Sequence, residues 1–140
     1  MIRRSVLLLL ALPVLAVARD FPAEGEACIA ANSGADSVHC LTQLYYQSNQ
    51  ELRRLEDRLV AHSTQRLRDD RITRTHHEQA VSSLRDAARR YATFSERQCD
   101  FEVGYSGAAA SGAQQVFYRC LLRLNQGRRD YLQGAMNGAD

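Results

Sequence analysis

The chain has 140 residues with 18 basic and 16 acidic side chains, the length of one small domain. Every base is an arginine, and the absence of lysine excludes a Walker A phosphate loop, a Schiff base and a Ser-x-x-Lys nucleophile pair. Two prolines and a 45% apolar content exclude a disordered or low-complexity chain.

Arg3 and Arg4 precede an apolar run from Val6 to Val17, and Ala16-Val17-Ala18 follows as a small-x-small tripeptide. A basic start, an apolar core of about 7–15 residues and small residues at −3 and −1 predict a secretory signal peptide over 1–18, cleaved after Ala18. Arg19 and Asp20 end the run short of the ~20 apolar residues a membrane span needs, so no stable membrane anchor is expected after cleavage. Cys28 is the first cysteine and lies behind Glu24 and Glu26, too far from the apolar core for lipidation. Cleavage removes Arg3 and Arg4 and no acid, leaving 16 bases against 16 acids. A neutral exported chain is not expected to bind nucleic acid.

Residues 19–35 read as an irregular or short helical N-terminal arm. Export makes the even set Cys28, Cys40, Cys99 and Cys120 read as two disulfides. Four cysteines allow three pairings; Cys28–Cys40 with Cys99–Cys120 closes the two shortest loops and is the expected one. Each bridge would contribute ~2–4 kcal/mol by restricting the unfolded chain. No Cys-x-x-Cys is present, which speaks against a redox pair or a thiolate metal hairpin.

From Leu41 the positions Leu41, Tyr45, Ser48, Leu52, Leu55 and Leu59 step by four and three along one face of a long helix. Asp36 or Ser37 is placed to cap its start. The polar stretch from Arg66 to Thr75 is either a solvated extension of that helix or the first connection. A second stripe comprises Val81, Leu84, Ala88, Tyr91 and Phe94 and ends near Cys99-Asp100. The segment Gly104–Gly112 (GYSGAAASG) has the composition of a mobile loop. A third stripe uses Val116, Phe117, Cys120, Leu121, Leu124 and Tyr131, interrupted by Gly127 at a cost of ~1 kcal/mol relative to alanine. No segment alternates as a strand would. The expectation is an all-α, small three-helix bundle over 36–134 with a short N-terminal arm, two disulfides and a flexible C-terminal tail over 135–140.

Catalysis and cofactors find no support in the residues. His77-Glu78 opens like a zinc protease motif, but Val81 stands where its second histidine belongs. With His39 and His62 as the remaining histidines, His76-His77 read as a solvated helix start and only weakly as a metal carrier, so neither a metal nor a cofactor is expected. Glu56-Asp57 and Asp69-Asp70 sit among arginines as surface ion pairs.

The layout of the four cysteines resembles the LprI-like lysozyme inhibitor domain family of exported bacterial proteins, over about residues 28–132. Cys28 is followed a dozen residues later by Cys40, which opens the long helix. Tyr91, Phe94, Glu96 and Cys99 follow the family's run of aromatic, phenylalanine, acid and cysteine, and Phe101-Glu102 continues it. After the glycine-rich segment come Cys120-Leu121, then Arg128 and Leu132. Where the family has tryptophan this chain has Tyr91, Ser95 replaces an arginine, and Asn125 stands where threonine is common. Of the family's Leu-Asn-x-x-Tyr signature only Leu52 remains.

The resemblance implies a periplasmic or secreted, non-enzymatic protein whose partner is a lysozyme. Its family-motif core would comprise Leu52, Tyr91, Phe94, Leu121 and Arg128. Lysozyme works with two carboxyl groups in a cleft. A candidate inhibitory loop therefore comprises Gly104, Tyr105, Ser106, Gly107, Ser111 and Gly112, small enough to enter a groove and tied at both ends by the second bridge. Arg97 and Arg119, near its ends, are the candidate flanking cations. The alternative is a cell-envelope structural or adaptor protein that pairs through the Leu41–Leu59 face.

Overall fold

The computed structural model describes residues 19–138, so the predicted signal segment 1–18 lies outside the described residues. Four helices fill that span, correcting the expected three: α1 (Phe21–Ala31), α2 (Gly34–Arg68), α3 (Arg74–Ser106) and α4 (Ala110–Asn137). The additional helix is the expected arm. The Asp20 carboxylate caps it by accepting from the Ala23 amide at 3.0 Å, and Pro22 sits in the first turn, where a missing N–H costs nothing. Its buried line is Phe21, Gly25 and Cys28. With one large apolar side chain in that line, the hydrophobic periodicity is faint. Gly25 is there for contact: a Cβ on it would stand 2.9 Å from Leu122 Cδ1.

Helix α2 starts at Gly34 after Ser33, not at Asp36 or Ser37. Ser37 is instead fully buried; its hydroxyl donates to Gly34 O at 2.7 Å and accepts from Gln115 Nε2 at 2.8 Å. Asp36 lies in the first turn, where the helix dipole favours an acid. The stretch Arg66–Thr75 divides: α2 keeps Arg66 to Arg68, a turn follows, and Thr73 caps α3 by accepting from the His76 amide. Helix α3 continues past Cys99 to Ser106, and α4 passes through Gly127 without a break. The expected tail is helical as far as Asn137.

Side-chain pairs fix the directions. Gln115 meets Ser37, Asn125 meets Ser48, and Arg128 meets Glu56, so α2 and α4 run parallel. Tyr91 meets Asn125 while Cys99 meets Cys120, so α3 is antiparallel to both. Helix α1 packs on α2 and α4, opposite α3. Cysteines pair as Cys28–Cys40 and Cys99–Cys120, with Cα–Cα distances of 5.8 and 5.5 Å. Both bridges lie at the end where α2 begins and α3 turns into α4. Because α1 has 11 residues against 28 to 35 in the other helices, the far end is a three-helix layer with no covalent link.

The core follows that division. Phe21, Leu41, Leu44 and Leu122 pack around one bridge, with Leu121 beside the other. Leu52, Leu55 and Leu132 form a second cluster toward the far end, joined by Leu59, Leu84 and Met136. Between them lies a polar layer of Ser48, Asn125 and Tyr91. Two stripe positions are corrected. Phe94 is 55% exposed, because the buried line of α3 runs through Tyr91, Ser95 and Cys99. Tyr131 is 74% exposed, because the line of α4 runs Leu121, Asn125, Arg128 and Leu132.

Candidate interaction surface

The segment expected to be a nine-residue loop is mostly helix. Gly104, Tyr105 and Ser106 form the last turn of α3, Ser111 and Gly112 belong to the first turn of α4, and only residues 107–109 connect them. Gly107 makes the reversal possible. Its φ of +67° is a left-handed helix terminus that glycine adopts without a Cβ clash. The Ser106 hydroxyl donates to Val103 O at 2.8 Å and accepts from the Ala108 amide at 3.2 Å, so the turn is internally bonded.

Projecting from this turn is an exposed aromatic edge. Tyr105 is 85% and Phe101 61% exposed, and their rings stack at 5.7 Å with an interplanar angle of 24°. Phe94 lies one heptad before Phe101, so all three rings share one flank of α3. Behind them the Cys99–Cys120 bridge clamps the two helices, and Arg123 donates to both carboxylate oxygens of Glu102 at 2.7 Å. Large apolar side chains in an exposed row mark contact surfaces more often than isolated ones do.

The two candidate cations differ. Arg97 is highly exposed, with its guanidinium 3.9 Å from Asp100. Arg119 donates to Glu26 at 2.7 Å and so holds α1 to α4. The family-motif residues are spread over the bundle. Leu52 and Leu121 are core. Arg128 stacks over the Tyr91 ring at 4.7 Å and donates to Glu56 at 2.8 and 3.2 Å. The Leu41–Leu59 face proposed for an adaptor is enclosed by the other helices: Leu41, Ser48, Leu52 and Leu55 are all buried. Phe101 is the residue that sequence reasoning left out of the site; its spacing of seven from Phe94 and four to Tyr105 was the available signal.

Burial pushes the Tyr91 phenol up to about 12, with the Arg128 charge opposing the shift in part. The unfolded chain releases this proton near the ordinary tyrosine value of ~10, while the folded chain holds it. Above that pH the native state binds more protons than the unfolded one, so stability falls as pH rises. Urea midpoints are therefore expected to drop between about pH 10 and 12 in the wild type, and to drop less in Tyr91→Phe.

Among the described residues, no helix is long and apolar enough to cross a membrane. The geometry is that of a disulfide-bridged, all-helical domain with a rigid hairpin tip and an exposed aromatic edge. The family model described as lysozyme inhibitor LprI matches residues 28–132, from the first cysteine to the buried Leu132, and the chain belongs to this family. No curated protein and no solved structure matches it.

Proposed function

We propose that the protein is an exported lysozyme inhibitor, delivered to the periplasm or secreted by cleavage after Ala18, that occludes the lysozyme cleft with the α3–α4 tip and so protects peptidoglycan. The family match over residues 28–132 carries this reading; the tip supports the choice of contact face. Tyr105 stands outermost with Phe101 stacked behind it, and Arg97, four residues before Phe101, is an exposed base on the same helix. The lysozyme cleft carries two catalytic carboxyls, which an aromatic wedge accompanied by a cation suits. The bridge behind the tip lowers the entropy lost on docking, because both helices of the hairpin are already joined.

Titration of the oxidised protein into a c-type lysozyme is expected to abolish turnover at a one-to-one ratio. Phe101→Ala with Tyr105→Ala is expected to weaken inhibition roughly 30-fold, the effect of losing an aromatic hot spot worth about 2 kcal/mol. Replacing Tyr105 together with Ser106 should weaken it as well. Wild-type protein that leaves lysozyme active removes the functional reading. Full potency in the aromatic variants moves the contact to another face. Self-association with no effect on lysozyme supports an adaptor role instead.

A further inference from the structure

The end of the bundle away from the bridges carries a groove that inhibition through the α3–α4 tip leaves unused. It lies among the last turns of α2, the first half of α3 and the end of α4, with a volume of about 580 Å³. That falls within the ~300–1,000 Å³ of small-ligand sites. Its origin is where the helices stop. Helix α1 is too short to reach this level, α4 stops at Asn137, and Ala80, Ala87 and Ala135 line the space with methyl groups. The walls are Leu59, Val60, Val81, Leu84, Leu132 and Met136.

Charge in the groove is one-sided. Arg66, Arg128, His62 and His76 line it, and among the described residues no aspartate or glutamate does. The Arg128 guanidinium is engaged by Glu56. Arg66 Nε is buried with no hydrogen-bond partner. A buried donor without an acceptor is unfavourable and is satisfied by any ligand that brings one. An apolar slot with one unmatched guanidinium donor describes a receptor for a chain of methylenes ending in an anion. The slot is too confined for the ~800 Å² that a protein partner covers on each side.

We propose that this groove binds a long-chain fatty acid, its tail between Leu59, Val81, Leu84, Leu132 and Met136 and its carboxylate on Arg66. On α3 the groove ends at Ala87, 14 residues before Phe101 and so ~21 Å short of the aromatic edge. Fatty-acid binding and lysozyme inhibition are therefore independent readouts.

Calorimetric titration of the full, oxidised chain with oleate at pH 8, below the concentration at which oleate forms micelles, tests the proposal. One saturable site is expected. Arg66→Gln should weaken oleate at least about tenfold, the loss of a charge-assisted hydrogen bond, while methyl oleate binds both proteins equally. Ala135→Trp, which fills the groove from an exposed position, should abolish binding of both ligands with helicity and lysozyme inhibition unchanged. Absence of saturable oleate binding overturns the proposal, as does equal oleate affinity in Arg66→Gln. Binding of lysophosphatidylglycerol without oleate, or a dimer in sedimentation that Ala135→Trp dissociates, overturns it in favour of a phosphate amphiphile or a second copy of the chain.

Discussion

Replacing both cysteine pairs by serine is expected to lower the unfolding free energy by about 6 kcal/mol, roughly 3 kcal/mol from each bridge. The bridges close segments with separations of 12 and 21 residues, and closure entropy varies only logarithmically with loop length, so the two contributions are similar. A domain of this size has ~5–15 kcal/mol in total. Its apolar core among the described residues rests on eight buried aliphatic or aromatic side chains besides the cysteines. The doubly substituted chain should therefore be largely unfolded at 37 °C. The single removals should differ in character. Without Cys28–Cys40, α1 loses its covalent tie to α2, while Phe21 still has Arg19 and Arg129 over its ring at 4.5 and 5.7 Å. Without Cys99–Cys120 the α3–α4 hairpin loosens directly behind the aromatic edge, so lysozyme inhibition should weaken along with stability. Urea unfolding followed by circular dichroism, with and without reductant, measures both losses.

Asn125→Ala is expected to cost about 3 kcal/mol. Asn125 is 4% exposed and makes three side-chain hydrogen bonds, each to another helix. Its carbonyl accepts from the Tyr91 hydroxyl at 3.1 Å; its amide donates to Ser48 Oγ at 2.9 Å and Asn49 Oδ1 at 2.8 Å. Truncation leaves the Tyr91 hydroxyl without its acceptor, and an unsatisfied buried polar group costs ~1–3 kcal/mol before any cavity is counted. The network spans α2, α3 and α4, so its loss should move the urea midpoint without changing the slope. Combining Asn125→Ala with Tyr91→Phe should cost less than the sum of the two, since the second substitution removes the group that the first strands.

Much of this architecture is legible in the residues. The line Leu41, Tyr45, Ser48, Leu52, Leu55, Leu59 is the inner face of α2, because large apolar side chains at four-three spacing have one physical use in a helical bundle. Helix α1 is legible only as an irregular or short helical arm, because Gly25 owes its place to Leu122 on a helix remote in sequence. The helical ends of α3 and α4 were hidden by three glycines within Gly104–Gly112. Glycine costs a helix only ~1 kcal/mol, which packing and a covalent clamp a turn or two away outweigh. The stripe is off by one residue at Phe94 because Ser95, small and buried one turn before Cys99, takes the inward position. Tyr105 was identified from composition, whereas Phe101 required the helix that composition argued against. The groove at the far end was not legible at all, since it arises from where three helices stop.

The linkage order of the sulfur atoms carries a consequence for biogenesis. Cys28 joins Cys40 and Cys99 joins Cys120, first with second and third with fourth. A chain threaded N-terminus first past a thiol oxidant, which couples each newly arrived cysteine to the one before it, reaches the native connectivity directly. For a chain exported as proposed, no isomerase is needed to reshuffle it, and the connectivity calls for an electron acceptor alone.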